Sequence, residues 1–356
     1  MRKGLAAALF AAAVMFTAPA WADITIAVPS GSEGDGLRAA AEDYSAEMGI
    51  NIEILAKSLA VCRSPYNTGP FVCLPYVGNA QMFFYDAEQF TEKGLPGGPE
   101  TWDDVITVAS ELTAEGGGRY YGYVFRGGQG NPVVADFMPI FWSYGADMFN
   151  EDRTAVTIDT AEGAAAMETF MALKETAPRG VESYQADEVG RALAAGTAAS
   201  SISWPNWVAT FEDPSQSQMV GKISYSAIPS GTHAGSSEIG HWTMGIMSAS
   251  QNKQEAFDFM VWATSPEQIK ISATRGNPPV RFSVFTDPEL TSQEQFRHFP
   301  TLMEAITYST PRPRHPKWPE IENAFGIELS KAVVGTITPA EALANAQAAV
   351  EQISGL

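Results

Sequence analysis

Residues 24–55 read ITIAVPSGSEGDGLRAAAEDYSAEMGINIEIL. The apolar, β-branched run from Ile24 to Val28 predicts a strand. Gly36 to Met48 predicts a helix, because its apolar residues recur on one face, and Asn51 to Leu55 predicts a second strand. A strand, a helix and a strand in this order form a parallel βαβ unit. The expected fold class is therefore α/β.

A small polar loop, residues 29–35, joins the first predicted strand to its helix. Open α/β sheets bind ligands beyond the carboxyl ends of their strands, which is where this loop lies. We therefore expect Asp35 to contact a ligand, and an ordinary turn explains the loop equally well.

The alternation of helices and strands continues along the chain. Capping residues or an apolar face predict helices at 101–115, 159–174, 255–264 and from 338 onward. Apolar and β-branched runs predict strands at 200–204, 222–228 and 243–247. Glycine-rich turns flank Tyr120 to Phe125, and we expect the chain to cross between two domains near Gly122.

The composition is that of an acidic globular protein. The 356 residues are 45% hydrophobic, and 22 Lys and Arg against 41 Asp and Glu give a formal net charge of −19. Such a chain repels phosphate backbones, so nucleic acid is not an expected partner. Eight Trp, 11 Tyr and 19 Phe are more aromatic residues than a core needs. Some of them are expected to contact a ligand.

The N-terminus has the pattern of a secretory signal peptide. Arg2 and Lys3 are basic, Leu5 to Phe16 is apolar, and Ala20-Trp21-Ala22 is a small-x-small cleavage site. We expect residues 1–22 to be removed after Ala22 and the protein to be periplasmic. The apolar run is too short to span a bilayer.

The chain contains two cysteines, Cys62 and Cys73. In an oxidising compartment they could close a small disulfide loop. Spacing alone does not show whether their Cβ atoms face each other, so the sequence leaves the pairing open.

Sequence motifs for catalysis are absent. The histidines stand far apart and form no metal-binding pattern, so neither a metal site nor a cofactor is expected. No nucleophile elbow or phosphate-binding loop is present. Asp103 and Asp104 are adjacent at a predicted helix start, where carboxylates are far more often caps than catalytic groups. We expect no catalytic residues and no enzyme activity.

Aromatic and amide-rich loops at strand ends remain as the candidate site. Sugars present apolar C–H faces and a rim of hydroxyl groups, so a sugar site needs aromatic faces with polar groups around them. Loops with this composition lie at 75–79, 142–147, 204–207 and 240–242. A core position explains each of their aromatic residues equally well. Trp262, which lies within a predicted amphipathic helix, is assigned to packing.

The order of several segments resembles that of the sugar-binding extracellular solute-binding proteins, the maltose-binding-protein-like components of ABC importers. The first similar segments are Leu74 to Tyr85, Gly94-Leu95-Pro96 and Thr101 to Asp104. Similarity continues through 142–147, 203–204, 221–229, 240–242, 256–264, 278–281, 311–313 and 318–322. The resemblance covers nearly the whole chain after residue 22, and it rests on order and spacing more than on any one motif.

The resemblance implies a two-lobed periplasmic-binding-protein fold with a hinge between the lobes. Lobe 1 is expected at 23–121 plus 233–290, and lobe 2 at 122–232 plus 291–356. The resemblance places a sugar-stacking tryptophan at Trp204 and further ligand contacts nearby. With the loop candidates, the expected ligand-binding residues are Trp204, Trp242, Gly240, Asn79, Tyr76, Arg281, Tyr144 and Asp35.

One departure from the family pattern concerns lobe 1. Family members usually carry a further helix, strand and helix after the second strand, whereas here only residues 56–68 intervene, too few for a parallel crossover. Lobe 1 is therefore expected to be shortened. The expected function is periplasmic capture of a carbohydrate for an ABC importer permease by a monomer. Binding of polyols or other small polar solutes, and a secreted polysaccharide-active enzyme, are the alternatives.

Overall fold

The computed structural model describes residues 62–64 and 69–356, together with the backbone of the strands Ile24–Ile26 (β1) and Ile52–Ile54 (β2). These two strands pair in parallel, with Ile24 opposite Ile52, as the βαβ pattern predicts. The predicted signal peptide, the helix at 36–48 and the loop containing Asp35 lie outside the described residues.

The remaining elements alternate as expected. The further strands are Leu74–Val77 (β3), Met82–Asp86 (β4), Ser200–Ser203 (β5), Ile223–Ser226 (β6), Glu238–Ile239 (β7), Trp242–Met244 (β8) and Thr310–Pro311 (β9). The helices are Ala87–Glu92 (α1), Trp102–Gly116 (α2), Asn131–Ser143 (α3), Ala161–Glu175 (α4), Ala186–Ala194 (α5), Val208–Phe211 (α6), Lys253–Ala263 (α7), Pro266–Ala273 (α8), Phe282–Phe285 (α9), Pro288–Thr291 (α10), Phe299–Thr307 (α11), Trp318–Val334 (α12) and Pro339–Ser354 (α13).

Capping residues begin three of the predicted helices. Thr101 accepts a hydrogen bond from the backbone N–H of Asp104 and completes a capping box with it. Thr338 and Glu341 form the same reciprocal arrangement at α13. Thr160 caps α4 through the N–H of Gly163. These side chains satisfy N–H groups that a helix start leaves without intrahelical partners.

A buried strand organises the larger part of the molecule. All five residues of β4 are buried, and β4 pairs antiparallel with β5 on one side and β6 on the other. Phe83 packs edge-on against Trp102 and stacks on Tyr123. Phe84, the next residue of β4, packs against Phe211. Since successive side chains point to opposite faces, the apolar run in β4 requires cover on both faces of this sheet.

The packing differs from the lobe division expected at Gly122. Strand β4 pairs with strands from 200–226, α2 packs on α4, and the Trp102 indole N–H donates to Ser143 Oγ at 2.9 Å. Residues 82–121 thus pack with the segment expected for lobe 2. The hydrophobic run of β4 shows that this strand is buried, but it does not show which strands pair with it, so the sequence alone did not indicate this packing.

The smaller body includes β3, β8 and helices α7 to α9. Strand β3 pairs antiparallel with β8, and Cys62 and Cys73 form a disulfide directly before β3. The N–H of Val72 donates to the Cys62 carbonyl at 2.8 Å, which adds a backbone bond to the same loop. The packing role assigned to Trp262 is wrong, because 56% of its surface is exposed. In the part of the chain that the structure describes, no helix is long and apolar enough to cross a membrane.

A substitution at Gly122 tests how closely the chain approaches α2. A Cβ at this position would lie 2.1 Å from the Ala109 Cα and 2.2 Å from its carbonyl oxygen. We expect Gly122→Ala to lower the free energy of unfolding by about 2 kcal/mol or more, since backbone must move to admit the methyl group. Urea denaturation measures this.

Gly97→Ala is the matched control, because a Cβ at Gly97 would have no atom within 4 Å. We expect its unfolding free energy to stay within about 0.5 kcal/mol of the parent. Equal stabilities of the two variants would contradict the packing described for Gly122.

Candidate functional site

A cleft of about 1660 Å³ lies among the described residues. Its walls come from segments far apart in sequence: residues 77–79, 204–206, 239–243, 277–278 and 311–318, with side chains from α3 and nearby loops. Among the residues expected to bind ligand, the lining includes Asn79, Trp204, Gly240 and Trp242.

Three adjacent backbone segments form one side of the cleft. The N–H of Gly240 donates to the Asn79 carbonyl at 2.8 Å, and the N–H of Gln81 donates to the Glu238 carbonyl at 3.2 Å. Strand β7 in turn pairs in parallel with β9. Residues 79–81, 238–241 and 310–312, called here the crossing segments, therefore run side by side.

Trp204 lies immediately after β5, where the chain leaves the buried sheet. Its ring packs against Gly240, where a Cβ would come within 2.5 Å of ring carbons. The Arg126 guanidinium carbon lies 5.7 Å from the ring centroid, within the range of a cation–π contact. The absence of a side chain at Gly240 thus allows the indole to lie close against the crossing segments.

Trp242 has a different environment. It is the first residue of β8, it is 69% exposed, and it pairs with Val77 across the β3–β8 ladder. The neighbouring His241 has its Nδ1 3.0 Å from the Asn79 carbonyl oxygen. Since a carbonyl only accepts, the Nδ1 carries the proton. Burial lowers the pKa of His241 to about 4, so the imidazole is neutral at pH 7.

Two arginines of the cleft wall are held by buried carboxylates. Arg126 donates from Nε to Asp136 Oδ1 at 2.7 Å, and its backbone N–H reaches Oδ2 at 2.7 Å. Burial raises the pKa of Asp136, and the adjacent guanidinium opposes that rise. Arg312 pairs with Glu238, whose Oε2 is buried without a hydrogen-bond partner among the described residues. Arg312 also lies 3.7 Å from Glu322.

Three expected ligand contacts lie outside the cleft lining. The Tyr76 hydroxyl is 3.5 Å from Ser272 Oγ, and the Tyr144 hydroxyl is 2.6 Å from Thr169 Oγ1. Arg281 donates from Nε to the Thr264 carbonyl at 2.6 Å. Asp35, the remaining candidate, is outside the described residues. In residues 62–64 and 69–356 no group of three His, Cys, Asp or Glu side chains could hold a metal ion.

Residues 16–270 match a family model described as bacterial extracellular solute-binding protein. The chain belongs to this family. An ABC transporter solute-binding protein from Agrobacterium radiobacter K84, solved with ribitol, is 25% identical, with a TM-score of 0.76 over 89% of this chain and 78% of that one. Maltose-bound MalE3 of T. maritima is also 25% identical, with a TM-score of 0.77 over 88% and 78%. The solute-binding protein therefore has the two-lobed α/β fold that the sequence predicts.

Among curated relatives, a probable amino-acid ABC transporter periplasmic-binding protein of Sinorhizobium fredii is 27% identical over 287 residues. The match covers 78% of the solute-binding protein and 63% of that relative. The chain thus spans less than two thirds of the relative's length.

The sequence interpretation missed most of the polar lining of the solute-binding protein. The missed residues are Arg63, Arg126, Asn131, Arg153, Asn277, Arg312, Arg314, His315 and Trp318. One signal was available in the stretch PRPRHPKW from Pro311 to Trp318, where fixed proline φ angles alternate with cationic side chains. An Arg between prolines is poorly suited to a core, so this segment indicated a surface that presents charge.

The buried pair of Arg126 and Asp136 yields a stability prediction. Asp136→Asn leaves the guanidinium buried without its counter-charge, and we expect it to lower the free energy of unfolding by about 3–5 kcal/mol. Urea denaturation followed by circular dichroism measures the change. Asp187→Asn is the control, since Asp187 pairs with Arg191 on the surface of α5. A comparable loss in the control would contradict the role given to burial.

Proposed function

We propose that the protein captures a carbohydrate or polyol outside the cytoplasm and delivers it to the permease of an ABC importer. The observation that carries this proposal is the position of Trp204, whose indole is held against the crossing segments in a cleft of about 1660 Å³. The ring offers an apolar face for C–H groups, and Asn79, Asn131 and Asn206 supply polar groups in the same lining. Ribitol and maltose in the two structural relatives support the same ligand class.

The mechanism we propose is closure of two lobes around the ligand. The first crossing is placed at 79–81 in place of Gly122, and the others at 238–241 and 310–312, because these segments hydrogen-bond side by side. A ligand that touches both walls binds the closed form more tightly and shifts the population toward it. The protein needs no catalytic group for this task, and the proposal treats it as a binding protein.

A thermal-shift screen of the purified protein tests the proposed function. The panel contains monosaccharides, oligosaccharides, polyols and amino acids. A ligand that binds only the folded state stabilises it by about 2.7 kcal/mol at a hundredfold excess over its Kd, so we expect a clear shift with at least one sugar or polyol. A shift with amino acids alone, or release of a cleaved product detected by chromatography, would overturn the proposal.

Substitution of the cleft tryptophans is expected to weaken binding of the ligand that the screen selects. Trp204→Ala removes the held ring face, and we expect its Kd to rise at least tenfold, the equivalent of about 1.4 kcal/mol. Trp242→Ala, at the exposed rim, is expected to raise the Kd less. Isothermal titration calorimetry measures both.

Trp262→Ala is the matched control, because Trp262 is 56% exposed and is not part of the cleft lining. Its Kd is expected to equal that of the parent. Unchanged affinity in Trp204→Ala, with a cooperative melt like that of the parent, would remove Trp204 from the site.

A further inference from the structure

The described residues that line the cleft carry positive charge, whereas the chain as a whole is negatively charged. The protein has a formal net charge of −19. Its cleft nevertheless contains five arginines: Arg63, Arg126, Arg153, Arg312 and Arg314. Among the described residues, no aspartate or glutamate lines the cleft. In a chain with nearly twice as many acidic as basic residues, this segregation concentrates a positive potential within the cleft.

Two carboxylates next to the cleft are buried against its arginines. Asp136 and Glu238 are fully buried, and each holds one guanidinium in the wall. Glu322 is engaged by Asn131, whose amide donates to it at 2.7 Å. These contacts position Arg126 and Arg312 as fixed parts of the wall.

The other three arginines are held by different contacts. Arg63 donates to the Gly69 carbonyl at 2.7 Å and covers the Phe71 ring. Arg153 donates from Nη1 to the Arg314 carbonyl at 3.1 Å, which places two guanidinium-bearing residues side by side. Arg153 has a φ of 55°, in the left-handed region that non-glycine residues rarely adopt. The turn that carries it is held by Asn150, whose Oδ1 accepts from the N–H groups of Thr154 and Ala155.

Two polar atoms of the cleft lining are also buried without a hydrogen bond among the described residues. Asn79 Oδ1 and the Trp318 indole N–H have no hydrogen-bond partner in the described part of the chain, although both are inaccessible to solvent. Buried polar groups are nearly always hydrogen-bonded in native proteins. The indole N–H is a donor only and therefore requires an acceptor, such as a ligand oxygen.

We infer that the ligand carries an oxyanion, a carboxylate or phosphate, on its carbohydrate or polyol skeleton. The inference rests on the proposed function and names its substrate class. The planar guanidinium fork matches both kinds of oxyanion. Several such forks, with no carboxylate among the described lining residues, favour an anion over its neutral parent. Arg153 and Arg314, which line the cleft and are joined by a hydrogen bond, are the residues assigned to the anion.

Paired titrations test the inference directly. The probes are glucuronate and glucose 6-phosphate against glucose, and gluconate against sorbitol, by calorimetry at 20 and 200 mM NaCl. We expect at least one anion to bind tenfold or more tightly than its neutral parent, with an advantage that shrinks at the higher salt. Comparison of the glucuronate and gluconate titrations with the glucose 6-phosphate titration shows whether the protein prefers a carboxylate or a phosphate.

The variants Arg153→Gln and Arg314→Gln then test whether these two arginines bind the anion. Each is expected to raise the Kd of the anion about tenfold and to leave that of the neutral parent unchanged. Arg191→Gln, exposed on α5 and outside the cleft lining, is expected to change neither.

The outcomes separate this inference from the proposed function. A neutral parent that binds as tightly as its anion, or an anion affinity that both Gln variants leave intact, overturns the inference while leaving sugar or polyol capture in place. No binding by any sugar, polyol or anionic derivative overturns both.

Discussion

The backbone hydrogen bonds among the crossing segments are the constraint on which the site depends. Gly240 bonds to Asn79, Gln81 bonds to Glu238, and β7 pairs with β9, so three separate parts of the chain meet in one place. Asn79, Gly240 and Arg312 of this junction line the cleft. The ion pair between Arg312 and Glu238 lies across it, and it joins two of the three segments through side chains as well as backbone.

This junction also contacts the aromatic ring of Trp204. Trp204 ends a strand of the buried sheet, and Gly240 lies in a crossing segment, so their contact joins the sheet of one body to the hinge region. A side chain at Gly240 would collide with the indole. Trp204, the proposed ligand platform, and the crossing segments are therefore parts of one packed unit, and movement of these segments would move the indole.

Electrostatics distinguishes the cleft from the rest of the surface. Among the described residues, the cleft lining presents guanidinium groups and neutral amides and no carboxylate, although the chain as a whole is acidic. Buried Asp136 and Glu238 are costly to desolvate, and their pairing with Arg126 and Arg312 offsets that cost while holding the donors in place. A disulfide beside β3 adds a covalent link next to the same wall.

The sequence by itself determined the local structure and the fold class. Threonine caps at 101, 160 and 338, the parallel pairing of β1 with β2, and the strands near 200, 223 and 243 were all predictable, because capping and apolar periodicity act over a few residues. The order of segments also predicted the two-lobed family fold. Trp204, Trp242, Gly240 and Asn79 were candidates from composition and resemblance alone, and the structure brings them into one cleft.

Tertiary structure alone decided which segments meet. Contacts between residues far apart in sequence determine which strands pair with β4. Such contacts also bring Arg126, Arg153, Arg312 and Arg314 into one cleft. The positions of Tyr76, Tyr144 and Arg281 outside the cleft lining depend on such contacts too, as does the pairing of the two cysteines. Periodicity reports whether a side chain is buried, whereas the identity of its neighbour is set by the packing of the whole chain.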